Sequence, residues 1–221
     1  MAFGWVALGA VTLATWFVAA RVLHLSRPEV GSVLVCVLIA NTGYLGYPVI
    51  AAIEGFDAIS EAAAYDVLVG SAALLLGAFS VGAAFGERAG ESRRERAISF
   101  FARNPPLYAA ILGLLAPDFL APEVAVDTAR IAVIAILPVG FFAVGTALAA
   151  ESEHGTFAGI PRLDRPVALA IGARMALAPL LLFGLSAPFI DLPGTYLLLA
   201  AMPCGLNTMI VTHAYGLDLP I

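Results

Sequence analysis

Asn41-Thr42-Gly43-Tyr44-Leu45-Gly46-Tyr47-Pro48 lies near the middle of an apolar run at 31–53, and Pro203-Cys204-Gly205-Leu206-Asn207-Thr208 lies near the middle of another at 193–215. Each stretch puts Pro, Gly and Asn where an uninterrupted membrane helix would carry aliphatic side chains. Proline removes a backbone donor and clashes with the preceding turn, which frees carbonyl groups. Irregular backbone is tolerated at membrane depth only where it is buried in protein or lines a cavity. The two stretches therefore predict a pair of interrupted helices.

The rest of the sequence says what surrounds them. Of its 221 residues 61% are hydrophobic and only 12% charged, whereas a soluble domain carries about a quarter charged residues. A spanning helix needs roughly 20 apolar residues, so there is room for about seven. Apolar runs occur at about 3–22, 31–53, 63–86, 105–120, 129–149, 166–188 and 193–215, the fourth being short and broken by Pro117. They are apolar on every face, unlike the alternating strands of a membrane barrel. The expected class is an all-α integral membrane protein. A soluble enzyme, a disordered chain and a nucleic-acid-binding domain are excluded.

Orientation follows from the basic residues, all 11 of which are arginines. Arg21 and Arg27 follow the first run, Arg88, Arg93, Arg94, Arg96 and Arg103 the third, and Arg162 and Arg165 the fifth. The intervening loops hold Glu54, Asp57, Glu61, Asp118, Glu123, Asp127 and Asp191 but no basic residue. The positive-inside rule makes the arginine side cytoplasmic, with the N-terminus outside and the C-terminus inside. No basic n-region precedes the first run, so no cleavable signal peptide is read. Met1 would sit almost at the outer surface and Ile221 follows the last run directly, so both ends read as cut.

The two breaks lie in runs of opposite direction, one in each half of the chain. Inverted-repeat transporters place such interrupted helices at a midplane substrate site. There, half-helix N-termini attract a carboxylate through free N–H groups and the positive dipole end. Asn41 and Asn207 are placed to hydrogen-bond a substrate or the unwound backbone. Kinks and close helix packing at Gly46 and Gly205 are the competing explanation. Arg174, well inside the sixth run, is either a charge for an organic anion or an arginine snorkelling to the cytoplasmic face. His213, near the end of the last run, reads as a packing or interfacial residue. Asp66, near the outer end of the third, reads as facing water. Cys36 and Cys204 read as buried thiols, too few and too far apart for a disulfide framework or metal site.

Other classes find little support. A retinal receptor needs a Schiff-base lysine, and the chain has none. No nucleotide-binding loop is present. An intramembrane aspartyl protease needs facing carboxylates, and Asp66 and Asp218 fall at span ends on opposite sides of the bilayer. No enzymatic activity, cofactor, metal or nucleic-acid partner is expected.

The 41–48 stretch resembles the fourth-helix signature of the auxin efflux carrier family. Asn104-Pro105-Pro106, and Pro138-Val139-Gly140 with Gly145, are similar to its sixth and seventh helices; Arg174 with Ala178-Pro179 is similar to its eighth. Ala201-Met202-Pro203, Asn207 and Ala214-Tyr215-Gly216 are similar to its ninth. The resemblance implies a ten-helix fold of two inverted five-helix repeats, with broken fourth and ninth helices crossing at the substrate site. On that alignment 1–86 holds helices three to five, 87–104 is an Arg-rich cytoplasmic linker, and 105–221 holds helices six to nine. Helices one, two and ten have no counterpart, so a non-transporting fragment or a seven-helix protein of receptor or assembly type stands as the alternative. The implied activity is elevator-type secondary transport, in the cell membrane, of a small organic anion, either auxin-like or a dicarboxylate such as malate or malonate. Coupling to protons or sodium and a homodimer are both compatible with it. The substrate-binding residues nominated are Asn41, Thr42, Gly43, Pro48, Arg174, Pro203 and Asn207.

Overall fold

The computed structural model describes residues 1–87 and 163–218, with isolated positions between 117 and 149. The runs at 105–120 and 129–149 lie largely outside the described residues. So do most of the Arg-rich linker and the motifs at 104–106, 138–140 and 145. Met1–Asn104 and Leu163–Leu219 form one compact unit. In a second, Pro105–Arg162, the stretches 123–125 and 127–128 are helical.

Every named element among the described residues is helical. Ala2–Val22 forms α1, Arg27–Leu38 forms α2 and Thr42–Ile53 forms α3. Phe56–Phe85 forms α4 and Arg165–Ser186 forms α5, followed by Gly194–Ala200 as α6 and Asn207–Tyr215 as α7. Among the described residues α1, α4 and α5 are long and apolar enough to cross a bilayer. The runs at 31–53 and 193–215 are each split in two, into α2 with α3 and α6 with α7.

Helix α2 is the centre of the unit. Its start is set by the Ser26 backbone N–H, which donates to the Glu29 carboxylate at 2.6 Å, with Pro28 in the first turn. Such capping satisfies a donor that the first helical turn leaves without a partner. Every residue from Val30 to Leu38 is buried, because α1, α4, α5 and α7 all pack against it. A helix with no polar face is stable only when enclosed on all sides. The surrounding helices turn large apolar groups outward instead, among them Leu13 and Phe17 of α1, Leu76 of α4, and Leu180 and Phe183 of α5. Soluble monomers rarely leave such surface in water, and lipid is the solvent that suits it. The protein is a helical membrane protein.

Helices α2, α4 and α7 approach closely because glycine lines the contact. A Cβ on Gly31 would meet Leu217 Cδ2 at 2.5 Å and Phe85 Cβ at 2.7 Å, and one on Gly86 would meet the Tyr215 carbonyl oxygen at 2.2 Å. Helix α7 ends in left-handed Gly216 (φ 66°, ψ 47°), a conformation that glycine adopts without steric cost. Gly86→Ala is expected to destabilise the protein by about 1–3 kcal/mol, since a backbone carbonyl cannot rotate away. Gly184→Ala, with nothing within 4 Å of the added carbon, should be neutral or slightly stabilising. Thermal unfolding of the two variants in detergent checks the difference.

Candidate functional site

Between α2 and α3 the backbone opens at Ile39 (φ −99°, ψ 102°) and Asn41 (φ −82°, ψ 62°). Between α6 and α7 it opens from Ala201 to Leu206. The two openings pair with each other. Ala40 and Cys204 form an antiparallel bridge, in which the Asn41 N–H donates to the Pro203 carbonyl at 2.8 Å and the Gly205 N–H to the Ile39 carbonyl at 2.9 Å. Each unwound segment thus supplies the partners that the other lacks, at a depth where an unpaired backbone group costs several kcal/mol. Glycine permits the approach: a Cβ on Gly205 would lie 3.0 Å from the Ala40 carbonyl oxygen.

The open backbone precedes Pro48. That proline is exposed in the first turns of α3 and lies outside the lining of the cavities described below. Pro203 lies within its own opening.

A cavity of about 150 Å³ sits against the paired openings, lined in part by Asn41, Thr42, Gly43, Asp66, Ser71 and Asn207. Four of the seven expected site residues, Asn41, Thr42, Gly43 and Asn207, therefore come together in it. Asn41 also caps the restarted helix, its Oδ1 accepting from the Leu45 N–H at 3.3 Å. The first turns of α3 and α7 both border the cavity, so the positive ends of two helix dipoles face it.

Asp66 differs from its expected place. Helix α4 begins at Phe56, a full seven residues before the apolar run, so residue 66 lies well inside a 30-residue helix. Its two carboxylate oxygens accept hydrogen bonds from Thr42 Oγ1 and from Tyr47 OH, the latter at 2.9 Å. Acidic residues at 54, 57 and 61 make the helix start read as loop, which hides this carboxylate from a hydropathy-based reading. It opens a π-helical stretch, Asp66–Ser71, a widened turn that often marks a functional position.

Arg174 lies in another π-helical stretch, Gly172–Leu177, and is only 6% exposed. Its Nε donates to the Met202 carbonyl at 3.1 Å, Nη1 to Val37 at 3.2 Å and Nη2 to Leu199 at 3.3 Å. One guanidinium thus satisfies carbonyls at or just past the C-terminal ends of both α2 and α6. Those are the negative ends of the interrupted helices. Arg174 also lines a second cavity, of about 170 Å³, with Cys36, Met175, Pro203 and Cys204. Cys36 is buried and Cys204 exposed. Nothing in the sequence spacing signals that the two cysteines share a cavity, which they do because the openings pair. His213 lies in the last turn of α7 and is exposed.

The chain is similar to Uncharacterized transporter MJ1031 of Methanocaldococcus jannaschii, with 24% identity over 221 residues, covering 96% of this chain and 67% of the relative. No protein-family profile matches the chain, and no solved structure matches it. The similarity supports a transporter role.

Replacing Arg174 should be far costlier than replacing an arginine at the membrane surface. Arg174→Leu removes the guanidinium donor from the Val37 and Met202 carbonyls, a loss of about 1–3 kcal/mol for each buried group left unpaired, whereas the Leu199 carbonyl keeps the Met202 N–H. Arg174→Lys keeps the charge but not the planar fork that reaches three carbonyls, so it should recover only part of the loss. The yield of monodisperse protein and its melting temperature, compared with Arg21→Leu, check this ordering.

Proposed function

We propose that this chain acts in a secondary membrane carrier of the auxin efflux carrier type, which moves a small organic anion by alternating access. The substrate sits at the paired helix openings, in the cavity bordered by Asn41, Thr42, Gly43 and Asn207. The observation that carries this reading is the pairing itself. Two helices interrupted at one place, with polar side chains and helix N-termini on one cavity, form a binding arrangement that a purely structural kink does not need. The similarity to a transporter supports the same class. The work required is binding and release, with no bond made or broken.

Size favours one substrate over another. A cavity of about 150 Å³ is comparable to one that holds a six-carbon ring in an engineered protein core. A malonate- or malate-sized acid suits this conformation better than a fused-ring auxin-like acid. Charge adds a condition: Asp66 borders the same cavity, and two carboxylates at short range repel strongly where water is scarce. The anion therefore travels with a proton or a sodium ion, and Asp66 is where that positive charge is held. The carrier lies in the cell membrane with the arginine-rich side cytoplasmic, and the breaks move with one domain of an elevator.

Proteoliposomes carrying the protein test the site through exchange of labelled malonate and malate. Asn41→Ala and Asn207→Ala should each lower exchange roughly tenfold or more, since a lost hydrogen bond to a charged group is worth about 1.5–3 kcal/mol. Unchanged exchange in both variants removes the site. Asp66→Asn should retain exchange but lose accumulation driven by an ion gradient. Replacing sodium, or collapsing the pH difference, then identifies the ion. Accumulation that survives in Asp66→Asn overturns the coupling role.

A further inference from the structure

We propose that Cys36, Cys204 and Met175 form a site for one soft monovalent metal cation of the Cu(I) class, in the cavity beside Arg174. The inference rests on the pairing of the helix openings and is independent of the transported substrate. Cys36 and Cys204 line one cavity, and the Ala40–Cys204 bridge with the Gly205 N–H bond to the Ile39 carbonyl holds their two segments side by side, so a single ion in that cavity can reach both sulfurs. Met175 brings a thioether to the same cavity, and the rest of the lining, Arg174 aside, is apolar: Val167, Ala170, Ile171 and Pro203.

The donor set selects the ion. Hard cations such as Na⁺, Mg²⁺ and Ca²⁺ need oxygen ligands, and no side chain in this lining carries one. Zinc in a structural site takes four ligands, more than the sulfurs present. Thiolate and thioether sulfur in a two- or three-coordinate setting suits Cu(I).

Charge gives a second argument. Binding follows 2 Cys–SH + M⁺ → [M(S–Cys)2]⁻ + 2 H⁺, with no change in oxidation state, and both protons leave through the cavity mouth, where Cys204 is exposed. The complex carries one negative charge, and the buried Arg174 guanidinium in the same lining carries one positive charge. The filled site is therefore neutral overall. Neutrality matters in an apolar setting, where an uncompensated charge is expensive. A divalent ion on the same two thiolates would leave the arginine uncompensated. Cys36 precedes the first opening by about one helical turn and Cys204 lies inside the second, so the bound ion also ties the two interrupted helices together.

The test uses the purified protein under anaerobic conditions. Cu(I) is presented as its complex with a competing chelator, and Ag(I), which is not readily oxidised or reduced, serves as a second probe. Metal per chain after desalting, maleimide-reactive thiols and melting temperature are measured. The expected result is one ion per chain, protection of the exposed Cys204 thiol and a higher melting temperature. Cys204→Ser, at an exposed position, should lower affinity well over tenfold, beyond the loss caused by removing an outer-shell partner in known metal sites. Cys36→Ser should do the same while remaining monodisperse, and Met175→Leu should weaken binding several-fold with the stoichiometry unchanged. The proposal is overturned by two ions per chain, by half-loading in either single-cysteine variant, or by thiols already blocked as a disulfide before loading.

Discussion

The reciprocal hydrogen bonds between the two helix openings are the constraint on which the unit depends. Asn41 N–H to Pro203 and Gly205 N–H to Ile39 settle the donor and acceptor groups that unwinding exposes. Neither opening could persist alone in lipid, because the missing partners have no water to replace them. The enclosure of α2 follows from this. To bring its C-terminal end to the second opening, the helix must run through the middle of the unit, which explains why Val30 to Leu38 are all buried. The glycines at 31 and 86 then serve the same end, letting α4 and α7 close around that central helix.

An interrupted helix has two ends at its break, and the pairing sorts them. The C-terminal ends of α2 and α6 share one guanidinium through Val37, Leu199 and Met202. The N-terminal ends of α3 and α7 share the cavity that contains Asn41 and Asn207. Since helix ends carry roughly half a charge of opposite sign, one cavity gains positive character and the Arg174 position gains negative character. Arg174 thereby acquires a structural assignment. It holds the openings in register and lines the cavity that does not contain Asn41 and Asn207.

Much of this arrangement was legible in the sequence. Pro, Gly and Asn in the middle of two apolar runs of opposite direction mark both openings and nominate Asn41 and Asn207, with kinks and close packing at Gly46 and Gly205 as the alternative. What escaped the sequence depends on three-dimensional proximity. Asp66 was assigned to water because acidic neighbours disguised the start of α4, and hydropathy cannot show that its carboxylate meets Thr42 and Tyr47. Arg174 reads as either a charge for an organic anion or an arginine snorkelling to the cytoplasmic face, while its carbonyl partners come from two helices distant in sequence. The cavity shared by Cys36 and Cys204 is invisible for the same reason, and Pro48, read as the cause of the first opening, lies beyond it in α3.

The place of Asp66 gives the polar cavity its logic. A carboxylate beside the N-terminal turn of a helix is favourable, and Asp66 is placed there, accepting from Thr42 in the first turn of α3 and from Tyr47 one turn further on. The cavity thus has a carboxylate of its own. An incoming organic anion competes with it for the same positive helix end. Two outcomes are open to such a competition: the substrate is rejected, or the charge on Asp66 is neutralised as the substrate binds. For the anion carrier proposed above the second is required, and substrate occupancy is then tied to a cation. On that proposal the cation, by changing how Asp66 holds Thr42 and Tyr47, would act on the first turns of α3, beside the opening that follows α2.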